Sequence, residues 1–168
     1  MHLETDRLLI RPWREDEAPR LFEILSDPEI TRWFGTPEAQ TEVAQTVETI
    51  RSHDLMKPPR GVWAVALKQG DLAVGSVMLV EIPKSGAPGE ELVQIGWYLH
   101  PDSTGHGYAS EASRAVLDFG LAAGITEIRA LTHLDNYPSI EVARRIGMRH
   151  LGQTDDWYDE PSEHFIVP

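Results

Sequence analysis

The sequence predicts a single α/β domain, a mixed sheet with helices on its faces. Two observations carry this. Short β-branched and aromatic runs alternate with segments of helical periodicity, and a glycine-containing turn sits where a strand gives way to a clear helix. The 168 residues are the size of one domain (1–168), large enough to bury a core without staples.

Leu8 to Trp13 reads as a first strand, closed by Pro12. Ala18, Leu21, Phe22 and Leu25 then fall on one helical face, with Asp16 as the expected N-cap and Ser26-Asp27-Pro28 as the stop. Glu38 to Leu55 reads as a second, more polar helix following Thr36-Pro37. Val62–Leu67 and Val74–Ile82 are strands joined by a turn at Gln69-Gly70-Asp71. Pro83 to Gly89 reads as an exposed connection, and Leu92–Leu99 as a strand stopped by His100-Pro101. Ala109, Ala112, Val116, Phe119 and Ala123 keep a spacing of three or four, which predicts a helix packed on the sheet and ended by Gly124. A strand at Glu127–His133, a short helix at Ser139–Ile146 and strands near Arg149–Gln153 and His164–Val167 complete about seven strands and four helices.

Composition excludes several function classes. No cysteine is present, so disulfides, thiolate metal sites and a cysteine acyl-enzyme are ruled out, which fits a reducing, cytoplasmic setting. Fifteen basic against 27 acidic residues give a net charge of −12, a field that repels nucleic acid. Met1 to Asp6 is not a signal peptide, and no apolar run reaches the ~18–20 residues of a membrane span. No metal site is expected.

The segment Gly105-His106-Gly107-Tyr108-Ala109-Ser110 lies between a strand and a helix. Glycines there let several backbone N–H groups point one way, and with the positive end of the helix they form a pyrophosphate site. The alternative is a turn that merely launches a helix. A Walker loop is excluded by the missing Gly-Lys-Ser/Thr, and a dinucleotide fingerprint fits poorly because Ser110 stands where a third Gly or Ala belongs.

Four stretches, in order, resemble the GNAT superfamily of acetyltransferases and within it the RimJ/RimL-type branch. They are Glu4–Pro12, Ile95–Pro101, Gly105–Ala112, and Asn136–Ser139 followed by Val142 and Arg144–Met148. The resemblance implies a twisted, mostly antiparallel sheet splayed between the fourth and fifth of the predicted strands. It implies acetyl-CoA as cosubstrate, its pantetheine arm along Trp97–Leu99, a backbone N–H near Leu99 for the thioester oxygen, and its pyrophosphate on Gly105, His106, Gly107, Tyr108, Ala109 and Ser110. Thr104 and His106 stand where the family usually carries Arg or Gln and Lys or Arg, which implies weaker cofactor binding. Many relatives are dimers, so a homodimer is a possible state.

Acetyl transfer needs an unprotonated amine, a held oxyanion and a proton for the leaving thiolate. Ser139 matches the branch residue near the sulfur, and Asn136 is expected to bond a pantetheine amide; the alternative is that Asn136 caps a helix whose first turn contains Ser139. Where the branch has Glu, this chain has Gln94, which can orient a water or the amine but accept no proton. Asp155 and Asp156 are the first candidates for the base, with Asp159, Glu160, His100 and His133 behind them; solvated surface carboxylates are the competing reading. Trp33, Phe34, Trp157 and Tyr158 are candidates for an acceptor pocket, or pack loops onto the core. Arg144 and Arg145 are candidates for the adenosine 3′-phosphate, or lie on a solvated helix face.

The function expected is transfer of an acetyl group from acetyl-CoA to a primary amine, on a peptide N-terminus or a small molecule, with no covalent enzyme intermediate. The acidic balance favours cationic acceptors: basic peptides, polyamines or aminoglycosides. A non-catalytic acyl-CoA-binding module is the alternative, and a longer acyl group such as succinyl is left open.

Overall fold

The computed structural model describes residues 1–34, 39–82, 92–158 and 160–167. The predicted connection at Pro83–Gly89, the Thr36-Pro37 start of the second helix and the candidate Asp159 lie outside these residues.

One eight-stranded sheet runs through the molecule: β1 (Leu3–Glu4), β2 (Leu8–Arg11), β3 (Gly61–Leu67), β4 (Ala73–Glu81), β5 (Val93–Leu99), β6 (Ile128–His133), β7 (Arg149–Thr154) and β8 (Ser162–Val167). Their order is β1-β2-β3-β4-β5-β6-β8-β7, and every neighbouring pair is antiparallel except β5 with β6. The helices are α1 (Ala18–Leu25), α2 (Pro28–Thr31), α3 (Val43–Asp54), α4 (Tyr108–Ala122) and α5 (Tyr137–Arg145).

Both faces of the sheet are covered. On one, Ala112, Val116 and Leu117 of α4 and Ile140 and Ala143 of α5 pack on Val77, Leu79, Val93, Ile95, Ile128 and Ala130. On the other, Leu21 and Ile24 of α1 and Ile50 of α3 pack on Ala64 and Ala73. This double cover explains β3, which is apolar throughout and buried from Gly61 to Ala66. Along β5 the faces alternate. Val93, Ile95 and Trp97 belong to the α4 side, and Tyr98 to the α1–α3 side.

The helix starts differ from the sequence expectation, and local hydrogen bonding explains each case. Asp16 is no cap. Glu15–Glu17 form a turn of 3-10 helix, and the Glu17 carboxylate accepts from the Arg14 N–H, 3.0 Å, and from both terminal guanidinium nitrogens of Arg11. Helix α2 is additional; Asp27 caps it by accepting from the Glu29 N–H at 2.8 Å, with Pro28 in its first position. The helix expected from Glu38 begins at Val43, where the Gln45 side chain accepts from the backbone N–H groups of Thr41 and Glu42.

Strands β4 and β5 approach closely at Gly75. A Cβ there would lie 2.2 Å from the Tyr98 carbonyl oxygen and 2.8 Å from Leu99 Cα, both backbone atoms that cannot step aside. Gly75→Ala is therefore expected to destabilise the domain by about 1–3 kcal/mol, read as a lower urea midpoint; an unchanged midpoint would show that β5 can shift freely.

Candidate active site

Strands β5 and β6 are paired only at Val93–Ile128 and Gln94–Arg129, and the ladder goes no further among the described residues. The His100 N–H donates to the Val74 carbonyl on the β4 side at 2.8 Å. Amide groups of alternate residues point to opposite sides of a strand, so those of Trp97 and Leu99 face away from β4 and into the gap beside β6. The splay thus leaves an unpaired strand edge inside the protein.

The glycine loop closes one end of this gap. Gly105 and Gly107 have φ of +78° and +79°, a backbone that glycine adopts without strain, and Gly107 is the N-cap of α4. Nothing lies within 4 Å of a Cβ built at Gly105, so the loop borders open space at that residue. The loop is clamped from behind. Arg7 donates to the His106 carbonyl at 3.0 Å and to Glu111 at 2.7 Å, and Glu111 also accepts from the Thr5 hydroxyl and the Arg7 N–H. The Arg7 guanidinium sits 4.9 Å over the Tyr108 ring, which stacks on His106. Burial opposes ionisation of Glu111, but the hydrogen bonds from Thr5 and Arg7 outweigh it and hold the carboxyl below its ordinary range.

A cavity of about 980 Å³ runs from this loop through the splay to α1–α3. Its loop end is lined by Gly105, Gly107, Ala109, Ser110, Asn136 and Ser139, and its far end by Trp33, Phe34, Tyr98, His133, Tyr158 and Glu160. Asn136 caps α5 by accepting from the Ser139 N–H at 3.3 Å. The His133 ring lies 5.6 Å from that of Trp33, and its Nδ1 is 3.7 Å from Glu160. Phe34 packs against Tyr98 at 5.2 Å. Gln94 donates to the Tyr158 hydroxyl, and Tyr158 is held at φ +61°, a conformation rare for a bulky residue.

The family model for the acetyltransferase (GNAT) domain matches residues 7–149. The chain belongs to the GNAT acetyltransferase family. This acetyltransferase is 29% identical to the uncharacterized N-acetyltransferase YnaD of Bacillus subtilis, over 95% of its own chain and 94% of the relative. Its fold is similar to that of a GNAT-family acetyltransferase from Bacillus anthracis, with TM-score 0.81, 24% identity and 99% and 98% of the two chains covered. It is also similar to RimL, a ribosomal L7/L12 alpha-N-protein acetyltransferase solved in complex with coenzyme A, with TM-score 0.81, 17% identity and 99% and 97% covered. The splayed, mostly antiparallel sheet expected from the resemblance is the one found, with β1 and α2 added.

Several candidates converge on the cavity of this acetyltransferase: Gln94, Trp97, Leu99, Gly105, Gly107, Ala109, Ser110, Asn136, Ser139, Arg145, Trp33, Phe34, Tyr158, His133 and Glu160. Others are not brought there. Asp155 and Asp156 are exposed beyond the end of β7, and Asp156 turns back to accept from the Thr154 hydroxyl. Trp157 is buried against His164 and Arg129, as a core residue. Arg144 pairs with Glu141 at 2.6 Å, while Arg145 lines the cavity. His106 and Tyr108 support the loop from outside the cavity. His100 is caught between Glu23 and Asp102, whose carboxyl is lowered to about 2 by hydrogen bonds from Arg20 and Ser103. Sequence reading missed Tyr98 and the Arg7–Glu111 clamp. The adjacent Trp97 and Tyr98 of β5, which must face opposite sides of the sheet, pointed to the first, but nothing local links residues 7 and 111.

The clamp carries a pH signature. The native Glu111 pKa lies below the unfolded value, near 4.3. Its contribution is therefore complete above that value and is lost as pH falls through the native pKa. Glu111→Gln is expected to lower the unfolding midpoint at pH 7, with the deficit shrinking below about pH 4; an equal deficit at both pH values would remove ionisation from the account.

Proposed function

We propose that this protein transfers an acetyl group from acetyl-CoA directly to a primary amine, the two substrates entering the cavity from opposite faces of the sheet. The observation that carries the reading is the continuity of the cavity, from a pre-formed backbone anion cradle, past the unpaired edge of β5, to an aromatic chamber. Two features support the fit of a pyrophosphate and an amide-bearing arm: the positive-φ Gly105 and Gly107, the first bordering open space, and the amides of Trp97 and Leu99 that face away from β4.

Bound acetyl-CoA supplies the acyl group as an activated thioester. The residues of the chain do the rest. N–H groups from Gly105 to Ser110 hold the pyrophosphate, and Arg145 is the better placed of the two arginines for a terminal phosphate, because Arg144 is occupied by Glu141. Asn136 and Ser139 face the loop end, where the Ser139 hydroxyl can give a proton to a departing thiolate. The amine must shed a proton before it attacks, and Gln94 cannot take it. His133 can: it stands at the open end of β6 inside the cavity, with the Glu160 carboxylate 3.7 Å from Nδ1. The Gln94–Tyr158 hydrogen bond narrows the passage on the acceptor side.

Incubation with acetyl-CoA and a panel of peptides and small amines should release free thiol. His133→Ala should lower kcat/KM by about 10²–10⁴-fold while leaving CoA affinity, measured by calorimetry, unchanged. CoA binding with no thiol release across the panel would favour the acyl-CoA-binding module instead.

A further inference from the structure

The acceptor end of the cavity has a charge distribution that the composition does not suggest. Its wall is apolar. Ile30, Trp33 and Phe34 come from the helical side, and Met78, Val80 and Leu131 from the sheet. The last three alternate with fully buried neighbours on central strands, yet each is itself only half-buried. Apolar side chains in mid-sheet that protein leaves half-covered form a wall for something else to cover.

The titratable groups set deeper in this wall are neutral. Burial pushes the His53 imidazole down to about 4, against a smaller pull from Asp54, and pushes the Tyr98 phenol up to about 12, against its hydrogen bond with Ser76. Carboxylates line the cavity only at its rim among the described residues. Glu29, Glu141 and Glu160 have side chains 78%, 50% and 52% exposed. Glu29 is bridged to Arg32 at 3.2 Å and Glu141 to Arg144 at 2.6 Å, which leaves Glu160, beside His133, as the carboxylate open to an incoming ammonium.

From this we infer that, if the proposed acetyl transfer holds, the acceptor is a monoamine on an apolar or aromatic body, with the body against Ile30, Phe34, Met78, Val80 and Leu131 and the amine at His133 and Glu160. A polyamine or aminoglycoside would press further ammonium groups onto a wall whose described residues offer no carboxylate, and an unpaired charge out of water is strongly disfavoured. The shared chemistry can come from a free arylalkylamine or from a peptide whose first residue is bulky and apolar.

The test compares phenylethylamine, a peptide beginning with Phe, ethanolamine, spermidine and kanamycin, by thiol release and by calorimetric binding to the CoA-loaded protein. Phenylethylamine or the Phe peptide should bind and turn over at least about tenfold better than the other three, and whichever of the two leads identifies the source. Phe34→Ala should reduce that preference. Val80→Glu should raise spermidine relative to phenylethylamine. Binding selectivity without turnover of any amine would keep this inference and sink the acetyl-transfer reading. Spermidine, kanamycin or ethanolamine binding as well as the aromatic amine would overturn the inference, whatever the turnover.

Discussion

The constraint on which the site depends is the early parting of β5 and β6. Two parallel strands share two residue pairs and then diverge, so a line of backbone amides is left without a partner in the middle of a domain. Unpaired buried amides are costly, and a fold keeps them only where a ligand or water satisfies them. The parting also sets the rest of the geometry. The chain leaves β5 into the glycine loop and α4, and leaves β6 into Asn136 and α5, so both helices start at the open end of the gap. Their N-terminal N–H groups and the strand edge therefore meet in one cavity.

The glycine loop has the conformation its residues suggest, but a second element holds it there. The Arg7 guanidinium reaches across from the start of β2 to take the His106 carbonyl, and Glu111, one turn into α4, secures Arg7. Turning that carbonyl back leaves the amides to face the cavity. Preorganisation of this kind lowers the ordering cost when an anion binds. It also ties the N-terminal segment to the glycine loop, a link that its distance in sequence conceals.

Net charge and local charge part company in this protein. Many of the described carboxylates are exposed, and some of them are offset by arginines, such as Glu15 by Arg51 and Asp118 by Arg114, so the excess of twelve negative charges resides on the others. Among the described residues, the far end of the cavity has an apolar wall with carboxylates at its rim. Long-range attraction of cations and the fit of a particular amine are therefore separate matters, governed by different residues.

Much of the fold was legible because it rests on short-range rules. Short β-branched and aromatic runs bounded by turn residues marked β3 to β6, the three-and-four spacing marked α4, and Gly105 and Gly107 marked a turn that needs positive φ. The family motifs read in order located the cavity's loop end at Ser110, Asn136 and Ser139. The helix starts were misread where a side chain caps from an unexpected place, as Glu17 and Gln45 do. The roles of the acidic residues were not legible either. Asp155, Asp156 and Glu160 lie within six positions of one another, yet the turn after β7 sends the first two to solvent and only Glu160 to the cavity beside His133. Sequence alone determined that a glycine turn opens a helix and, through the family resemblance, that a splayed sheet is present. Only the tertiary structure decided which carboxylates, imidazoles and aromatic rings share the cavity, because that depends on strands pairing across tens of residues and on the direction each side chain takes from its turn.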